Sequence, residues 1–508
     1  MENPENIFIE TSALLKSRNE WLLIGQSGKT FALERDEIEL TFERGRIILG
    51  FLGEKGFQIW RVANCRVKDE KIIFDITRNF EKERKKIQLV PRILARALGD
   101  AVELARLEKA NQIARLIVSE TQNSKLIRVA LNEENGRFAH IIFETASGEQ
   151  MAALADVAEQ ATPELFLTTA ILWLAQLERR KKKPVSKMWI LTEKKQTKNL
   201  QKLHALLREN YQRQIKLWEI FRKGTKARTD EENSLKEVAS LKIKDLWRAK
   251  KSKFLLETSF EVSRTAREII SLAPEKTDFL FTKNGESLRF RGLPFARVRK
   301  VLNEEKVWFG IEKNKQILNE TSRREFFELL ENLEIYRQFN SPNKRHALFR
   351  LAPEAWLEAI LRRNIKLLDR NLILSPVYNQ FRASADRIDL LALRRDGRLV
   401  IIELKVSPDR EMIFQAIDYW RKIELHRRQG NLQTAKIFGD MEIVDEPSIV
   451  YLAAPTLSFH RDFDFLAKTV TPEIEIYRFD LNENWRESLK VLCIEKIQNR
   501  FQPKIDVF

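Results

Sequence analysis

Apolar residues in the first 90 positions come in short runs that are separated by glycines. Runs of this kind are typical of β-strands joined by tight turns, so the pattern predicts a small β-rich barrel or sandwich over residues 1–90. Such a module can bind nucleic acid or a partner, and a structural or oligomerising role fits equally well. The runs are Trp21–Ile24, Thr30–Leu33, Ile47–Leu49, Gln58–Val62 and Ile72–Ile76.

The spacing of apolar residues changes after Pro91. From Ile93 to Leu107 they recur at helical intervals, which predicts a long helix. Together with the elements that follow, this helix predicts a central α/β domain over residues 91–225. Those elements are strands near Ile127–Leu131 and His140–Phe143, a helix-rich stretch from Met151 to Leu177, a strand at Met188–Leu191 and a charged helix from about Lys195 to Ile220.

The sequence of residues 226–340 predicts a basic connector followed by a small β-rich domain. The segment Arg222–Lys253 is rich in Lys and Arg and has the composition of an exposed helix or a linker. The segment Arg291–Arg297 is distinctive, and its arginines could contact a substrate backbone. Strands are predicted at Phe279–Phe281, Leu288–Arg291 and Val307–Gly310, and a helix at Arg323–Phe339 leads onward.

The last domain, residues 341–508, alternates helices and strands, which predicts a mixed sheet with helices packed on it. The elements are a helix containing Glu358, a strand near Leu372–Leu374, two strands around residues 389–405, a helix from about Asp409 to His426, and strands near Ser448–Leu452 and Glu473–Phe479. Asp409 is a candidate N-cap of its helix. The whole chain is therefore predicted to be a multidomain α+β protein.

Charged residues interrupt the two apolar strands around residues 389–405. If Arg395-Asp396-Gly397 forms a three-residue hairpin loop with Gly397 in the left-handed conformation, Asp389 lies opposite Glu403. Because side chains alternate along a strand, Lys405 shares that face. Two carboxylates beside an ammonium suit a Mg²⁺ or Mn²⁺ ion that binds phosphate oxygens, so the pattern indicates phosphodiester hydrolysis.

These residues resemble the PD-(D/E)XK nuclease superfamily, in which an Asp begins one strand and Glu-x-Lys lies on the next. The helix Pro353–Leu361 is similar to the family's first helix, with Glu358 matching its glutamate. Gln415 and Tyr419 are similar to the Gln-x-x-x-Tyr element of the RecB-type branch. Ile388 stands where many members have Pro. The resemblance covers roughly residues 341 to 480.

The resemblance implies a restriction-endonuclease-like core and roles for individual residues. Asp389, Glu403 and the Leu404 carbonyl would bind Mg²⁺ or Mn²⁺, and Lys405 would position the attacking water. Glu358 would complete the acidic cluster, and Gln415 with Tyr419 would hold the substrate strand or support the site. It also implies DNA rather than RNA as substrate. Mismatch endonucleases of archaeal type pair a β-rich amino-terminal domain with a similar nuclease domain.

Composition narrows the class of protein. The 508 residues carry a net charge of +17, which favours polyanions such as nucleic acid. Two cysteines and five scattered histidines argue against a disulfide framework and a zinc site. The acidic first residues do not look like a signal peptide, and the most apolar stretch, Phe166–Leu177, is too short for a bilayer span. We therefore expect a cytoplasmic protein without a membrane segment.

Two local patterns invite a phosphate-binding interpretation. Gly25-Gln26-Ser27-Gly28-Lys29-Thr30 lacks the first Gly of a phosphate loop, where Leu23 stands, and continues as a strand, so nucleotide binding is not predicted there. The run Arg179–Lys183 is either a phosphate-binding patch or a solvated helix end, and we favour the second.

The sequence thus predicts a metal-dependent nuclease, in genome maintenance or in defence against foreign DNA, whose amino-terminal domains select or regulate the substrate. An alternative is an inactive nucleic-acid-binding or regulatory protein that keeps a nuclease fold. A third hypothesis makes the amino-terminal domains a sensor that switches cutting on. A homodimer or a protein partner through those domains is also compatible with the sequence.

Overall fold

The computed structural model describes residues 4–25, 30–53, 56–68, 70–78, 83–92, 95–181, 183–223, 232–248, 262–282, 285–302, 304–312, 314–375 and 389–497. The chain is mixed α/β and divides into two compact units, Met1–Gln201 with Arg213–Ser240, and Lys202–Gln212 with Leu241–Phe508. Positions 26–29 of the rejected phosphate loop lie outside the described residues. The finer division into four domains stays a prediction.

No described helix is both long enough and apolar enough to cross a membrane.

The first unit opens with a helix and a seven-stranded antiparallel sheet. Its strands follow the order β2-β1-β7-β6-β5-β4-β3, and the edge strands β2 and β3 do not pair with each other over the described residues, so the sheet is an open half-barrel. Trp21, Trp60 and Phe74 fill its core. The elements are α1 (Pro4–Lys16), β1 (Glu20–Gly25), β2 (Thr30–Glu34), β3 (Ile38–Glu43), β4 (Arg46–Gly53), β5 (Gly56–Lys68), β6 (Lys71–Arg78) and β7 (Glu83–Pro91).

The predicted long helix, α2 (Ala95–Glu120), leads into a six-stranded mixed sheet in the order β13-β12-β11-β10-β9-β8. β9 is antiparallel to both β8 and β10, β11 and β12 run parallel to β10, and β13 is antiparallel to β12. The elements are β8 (Lys125–Leu131), β9 (Phe138–Glu144), β10 (Gln150–Asp156), α3 (Pro163–Glu178), β11 (Met188–Glu193), α4 (Lys194–His204), α5 (Glu209–Gln214), β12 (Ile215–Lys223) and β13 (Glu232–Glu237).

Three predictions for this region were wrong in part. The start of the helix-rich stretch, Met151–Asp156, is strand β10, because it is hydrogen-bonded between β9 and β11. The end of the predicted charged helix is strand β12, with Ile215 and Leu217 buried at the two-residue spacing of a strand. The predicted basic linker contains β13, which pairs with β12. Of the run Arg179–Lys183, the described residues are exposed just beyond the end of α3, which fits both a solvated helix end and a phosphate-binding patch.

The second unit contains a five-stranded antiparallel sheet in the order β14-β15-β16-β17-β18. Phe290, Phe295 and Phe309 from its strands pack with Phe326 and Leu333 from the predicted helix after it. The elements are α6 (Arg264–Ser271), β14 (Thr277–Thr282), β15 (Gly285–Phe290), β16 (Leu293–Val301), β17 (Glu304–Phe309), β18 (Gln316–Ile317), α7 (Arg323–Tyr336) and α8 (Ala347–Arg350).

The last sheet is six-stranded, in the order β19-β20-β21-β22-β23-β24. β20 is antiparallel to both β19 and β21, β22 and β23 run parallel to β21, and β24 is antiparallel to β23. The elements are α9 (Pro353–Arg363), β19 (Leu372–Leu374), β20 (Leu390–Arg394), β21 (Leu399–Leu404), α10 (Met412–Arg428), α11 (Asn431–Thr434), β22 (Ile449–Pro455), α12 (Phe463–Ala467), β23 (Glu475–Leu481) and β24 (Val491–Lys496).

Helix α10 buries the stripe predicted for it, since Ile413, Ala416, Ile417 and Trp420 are all enclosed. Asp409 is not its N-cap, because the helix begins three residues later. The Asp409 carboxylate instead accepts a hydrogen bond from the Glu411 backbone N–H at 2.7 Å, in the turn before the helix.

Candidate active site

The site forms where β20 and β21 meet, and the hairpin loop sets its register. Arg394 pairs with Arg398 across a three-residue loop in which Gly397 has a φ of 83°. Leu390 pairs with Ile402, so Asp389, one residue earlier, lies across from Glu403. This is the predicted register, and it brings the two carboxylates to adjacent strands on one face of the sheet.

Glu403 is almost fully buried, with 3% of its surface exposed. Its Oε1 forms an ion pair with the Lys405 ammonium at 3.1 Å, and Lys405 also lies 3.3 Å from Oδ2 of Asp409. The other oxygen of Glu403, Oε2, is buried and has no hydrogen-bond partner among the described residues. A buried carboxylate oxygen without a donor costs free energy, so this atom calls for a proton or a cation.

Asp389 is partly buried, and its Oδ2 accepts a hydrogen bond from the Leu404 backbone N–H at 2.8 Å. Burial raises the pKa of Asp389 to about 7, and the charge of Glu358 adds to this rise. Burial also raises the pKa of Glu403 well above its ordinary value, and the neighbouring Asp389 adds to this. Two neighbouring carboxyl groups with raised pKa values can share a proton or bind a cation.

The Lys405 ammonium stays protonated. Burial lowers its pKa, but the carboxylates of Glu403, Glu354 and Asp409 outweigh that effect and raise it. A permanently charged ammonium at this position donates hydrogen bonds and stabilises negative charge.

Glu358 lies on the buried face of α9, where its carboxylate forms ion pairs with two arginines. Its Oε1 is 3.3 Å from Nη1 of Arg289 and 3.6 Å from Nη1 of Arg362. Arg289 is itself buried and binds Asp278 through two hydrogen bonds of 2.6 and 2.9 Å. The charge of Glu358 raises the pKa of Asp389, so Glu358 adds negative charge to the site. Arg289 and Arg362 partly neutralise that charge.

Glu354, one helical turn before Glu358, is a site residue that was not among those predicted from the sequence. Burial raises its pKa, the charge of Lys405 lowers it, and the Val406 backbone N–H donates to it. Its charge acts in turn on Asp389, Glu403 and Lys405. The four-residue spacing from Glu358 places both on one helix face, which is the signal in the sequence that could have suggested Glu354.

The start of α9 is held by the turn between β15 and β16. Gly292 has a φ of 80°, and a Cβ built there would lie 1.9 Å from the carbonyl oxygen of Ala355, so only Gly allows this approach. Nη1 of Arg291 donates to the Arg337 carbonyl at 2.9 Å. The predicted contact of the Arg291–Arg297 arginines with a substrate backbone stays a prediction.

Arg337 completes this support. It is fully buried and donates hydrogen bonds to five backbone carbonyls, those of Phe290, Arg291, Leu348, Leu351 and Ala352. Burial lowers its pKa to about 9. These bonds join the β15–β16 turn to the segment that leads into α9, and so fix where Glu354 and Glu358 point.

Gln415 and Tyr419 lie one turn apart on α10 and are both partly exposed. Over the described part of the chain, the Gln415 side chain makes no hydrogen bond, and the Lys422 ammonium lies 5.6 Å from the centre of the Tyr419 ring. Neither observation tests a role in holding a substrate strand, so the roles of both residues stay predictions.

The donor set fits a hard divalent ion that keeps part of its water shell. Mg²⁺ is usually bound through one or two carboxylates plus phosphate oxygens rather than by a cage of protein ligands. Asp389 and Glu403 supply such a pair, and Oε2 of Glu403 has no hydrogen-bond partner among the described residues. Within the described ranges, no group of three or more His, Cys, Asp or Glu side chains is arranged to hold a metal ion. The Leu404 carbonyl as a ligand stays a prediction.

Trp247, in the segment predicted to be an exposed helix or a linker, packs within its own unit. Its ring centroid is 5.8 Å from that of Trp420 on α10, and the Arg428 guanidinium lies over it at 4.8 Å.

Comparison with known proteins finds one similar solved structure and no matching family model. No protein-family model matches the chain, and no curated protein matches it. Among solved structures, EndoMS in apo form matches with 11% sequence identity and a TM-score of 0.14, covering 37% of this chain and 85% of the EndoMS chain.

Proposed function

We propose that this chain is a metal-dependent nuclease whose active site is built on the β20–β21 hairpin. The observation that carries the proposal is the buried Oε2 of Glu403, which has no hydrogen-bond partner among the described residues and lies across the strand pair from a second carboxylate with a raised pKa. The antiparallel–parallel strand order around the hairpin supports a restriction-endonuclease-like core. The resemblance of Asp389, Glu403 and Lys405 to PD-(D/E)XK nucleases favours DNA as the substrate.

The reaction is hydrolysis of a phosphodiester. A water oxygen forms a bond to phosphorus, the bridging P–O bond to the sugar breaks, and a proton leaves the water while another reaches the departing oxygen. A bound Mg²⁺ or Mn²⁺ ion would polarise the phosphate and lower the pKa of a bound water. Asp389 and Glu403 would hold that ion in their ionised forms.

Lys405 acts as a donor in this proposal. Since surrounding carboxylates raise the pKa of its ammonium, we assign Lys405 the role of a donor rather than that of the general base. It orients the attacking water or stabilises charge on the phosphate. Glu354 and Glu358 add negative charge beside the pair, which strengthens its preference for a dication.

Plasmid cleavage with Mg²⁺ or Mn²⁺ tests this function, with Lys405→Ala beside Lys436→Ala. Lys436 is an exposed lysine that pairs with Asp440 at 3.0 Å, so it controls for the loss of one positive charge. We expect Lys405→Ala to reduce cleavage by at least about 100-fold and Lys436→Ala to leave it within about twofold. Equal cleavage by the parent and Lys405→Ala would refute the assignment. Binding of DNA without cleavage by the parent would support an inactive binding protein instead.

A further inference from the structure

The two six-stranded sheets of this chain have the same topology. β8 to β13 and β19 to β24 each follow chain order across the sheet, and the strand directions agree at every step. In both, a helix precedes the first strand and a long helix connects the third strand to the fourth, α2 and α3 in one and α9 and α10 in the other. An antiparallel sheet precedes each along the chain.

The central hairpins match residue by residue. The β9–β10 hairpin closes with the Thr145 N–H bonded to the Glu149 carbonyl at 2.9 Å, as Arg394 bonds Arg398 at 2.8 Å. Both loops have three residues and end in a glycine with nearly the same φ, 80° at Gly148 and 83° at Gly397. The shared loop allows each position of one hairpin to be assigned to a position of the other.

In the β9–β10 hairpin, the positions that match Asp389, Glu403 and Lys405 hold residues that do not reproduce the site. Counting from the loops, Asp389 corresponds to His140, Glu403 to Leu154 and Lys405 to Asp156, and His140 pairs with Leu154 across the strands. Leu154 is fully buried and offers no ligand atom. The β9–β10 hairpin thus has the same loop length and strand register as the β20–β21 hairpin but lacks the carboxylate pair.

The other two residues are engaged in structural contacts. His140 stacks on Trp173 of α3, with ring centroids 4.0 Å apart and an angle of 11° between the rings. The Asp156 carboxylate accepts hydrogen bonds from the backbone N–H groups of Ala158 and Ala161 at 3.1 and 2.8 Å, in the turn before α3. Neither is poised to bind an ion or to act on a phosphate.

We propose that the β8–β13 sheet is a second nuclease-like fold that has no active site, so that one chain carries one cutting centre and nicks a single DNA strand in each encounter. This rests on the nuclease function proposed above. Cleaving both strands of a duplex at one position requires two centres acting on strands of opposite direction. The described residues of one chain supply only the centre on the β20–β21 hairpin.

Supercoiled plasmid distinguishes nicking from double-strand cleavage. With the protein diluted until sedimentation shows a monomer, we expect open circles to accumulate almost completely before any linear DNA forms through a second, independent nick. Linear DNA that appears from the start, without an open-circle intermediate and at a rate first order in protein, would overturn the inference. A first-order double-strand cut needs a second centre within the chain.

Binding of Mn²⁺ alone, measured by calorimetry, tests the same inference without catalysis. Glu403→Gln should weaken Mn²⁺ binding by at least about tenfold. Asp156→Asn, at the position in the first hairpin that matches Lys405, should leave it unchanged. Weakening by Asp156→Asn, or binding that survives Glu403→Gln, would overturn the inference. A parent that binds Mn²⁺ through Glu403 but cuts nothing would refute the nuclease function and leave the single site standing.

Discussion

The Lys405 ammonium lies 3.1 Å from Oε1 of Glu403, with Lys405 one residue beyond the end of β21 and two residues after Glu403. This one ammonium cannot neutralise all the carboxylates around it. Oε2 of Glu403 has no hydrogen-bond partner among the described residues, and the pKa values of Glu403 and Asp389 are raised. Such a cluster lowers stability unless a cation joins it, so the arrangement indicates function rather than folding.

Without metal, the protein should lose stability as the pH rises through the window of this cluster. The pKa of Asp389 is raised from 3.8 to about 7, so between these values the folded chain holds a proton that the unfolded chain has released. The free energy of unfolding then falls as the pH rises. Urea unfolding in the presence of a chelator, at pH about 5 and about 8, measures the difference.

Asp389→Asn is the control for that measurement. It removes the titrating carboxyl, so its stability should depend less on pH than that of the parent across the same window. Saturating Mn²⁺ should stabilise the parent more at pH about 8 than at about 5, because the ion competes with protons for the carboxylates. The same pH dependence in parent and variant would show that Asp389 keeps an ordinary pKa.

Glu354 and Glu358 should respond differently to replacement by Gln. Glu358→Gln removes a charge that pairs with Arg289 at 3.3 Å, and we expect a loss of about 1–3 kcal/mol in the free energy of unfolding. Glu354→Gln removes a carboxylate that faces other carboxylates, so stability should hold while Mn²⁺ affinity falls about tenfold. Denaturant unfolding and calorimetry separate the two, and matching effects would refute the division of roles.

Gly292→Ala should displace or unfold the start of α9. The added Cβ would lie 1.9 Å from the Ala355 carbonyl oxygen, in addition to the strain of a φ of 80°. Gly430→Ala is the matched control, because its φ is 70° but nothing lies within 4 Å of the new Cβ. We expect the control to lose about 1 kcal/mol and Gly292→Ala at least about 3 kcal/mol, measured by denaturant unfolding.

Arg289→Met should be among the most destabilising single changes in the second unit. It leaves Asp278 and Glu358 without the buried guanidinium that lies between them, which costs about 3–5 kcal/mol when one partner of a buried ion pair is removed. Arg324→Met breaks an exposed pair with Glu328 and should cost less than about 1 kcal/mol. A comparable loss in both variants would mean that Arg289 is solvated.

The hairpin at the site was predictable because its loop leaves few choices. Gly397 after two polar residues selects a three-residue loop, and the loop then fixes every pair up to Asp389 and Glu403. Glu354 was not predictable in the same way. Its place in the site depends on the angle of α9 against the sheet, which Gly292 and Arg337 set from elements distant in sequence.

The missed strands have a different cause. Residues Met151–Ala155 are rich in Ala, Leu and Met, which favour helix locally, but the segment is hydrogen-bonded on both sides inside a sheet. In Ile215–Lys223 the adjacent apolar pairs Leu217-Trp218 and Ile220-Phe221 interrupt strict alternation, although Ile215 and Leu217 are buried at the spacing of a strand. In both segments, partners far along the chain outweigh local preference.

The contact of Trp247 with Trp420 has a practical consequence for dissecting this protein. A truncation that starts at residue 341 would remove Trp247, Arg289 and Arg337, exposing an aromatic face on α10 and leaving Glu358 without its buried cation. A protease-resistant fragment is therefore expected to start upstream of Trp247 rather than at the first residue of the nuclease resemblance.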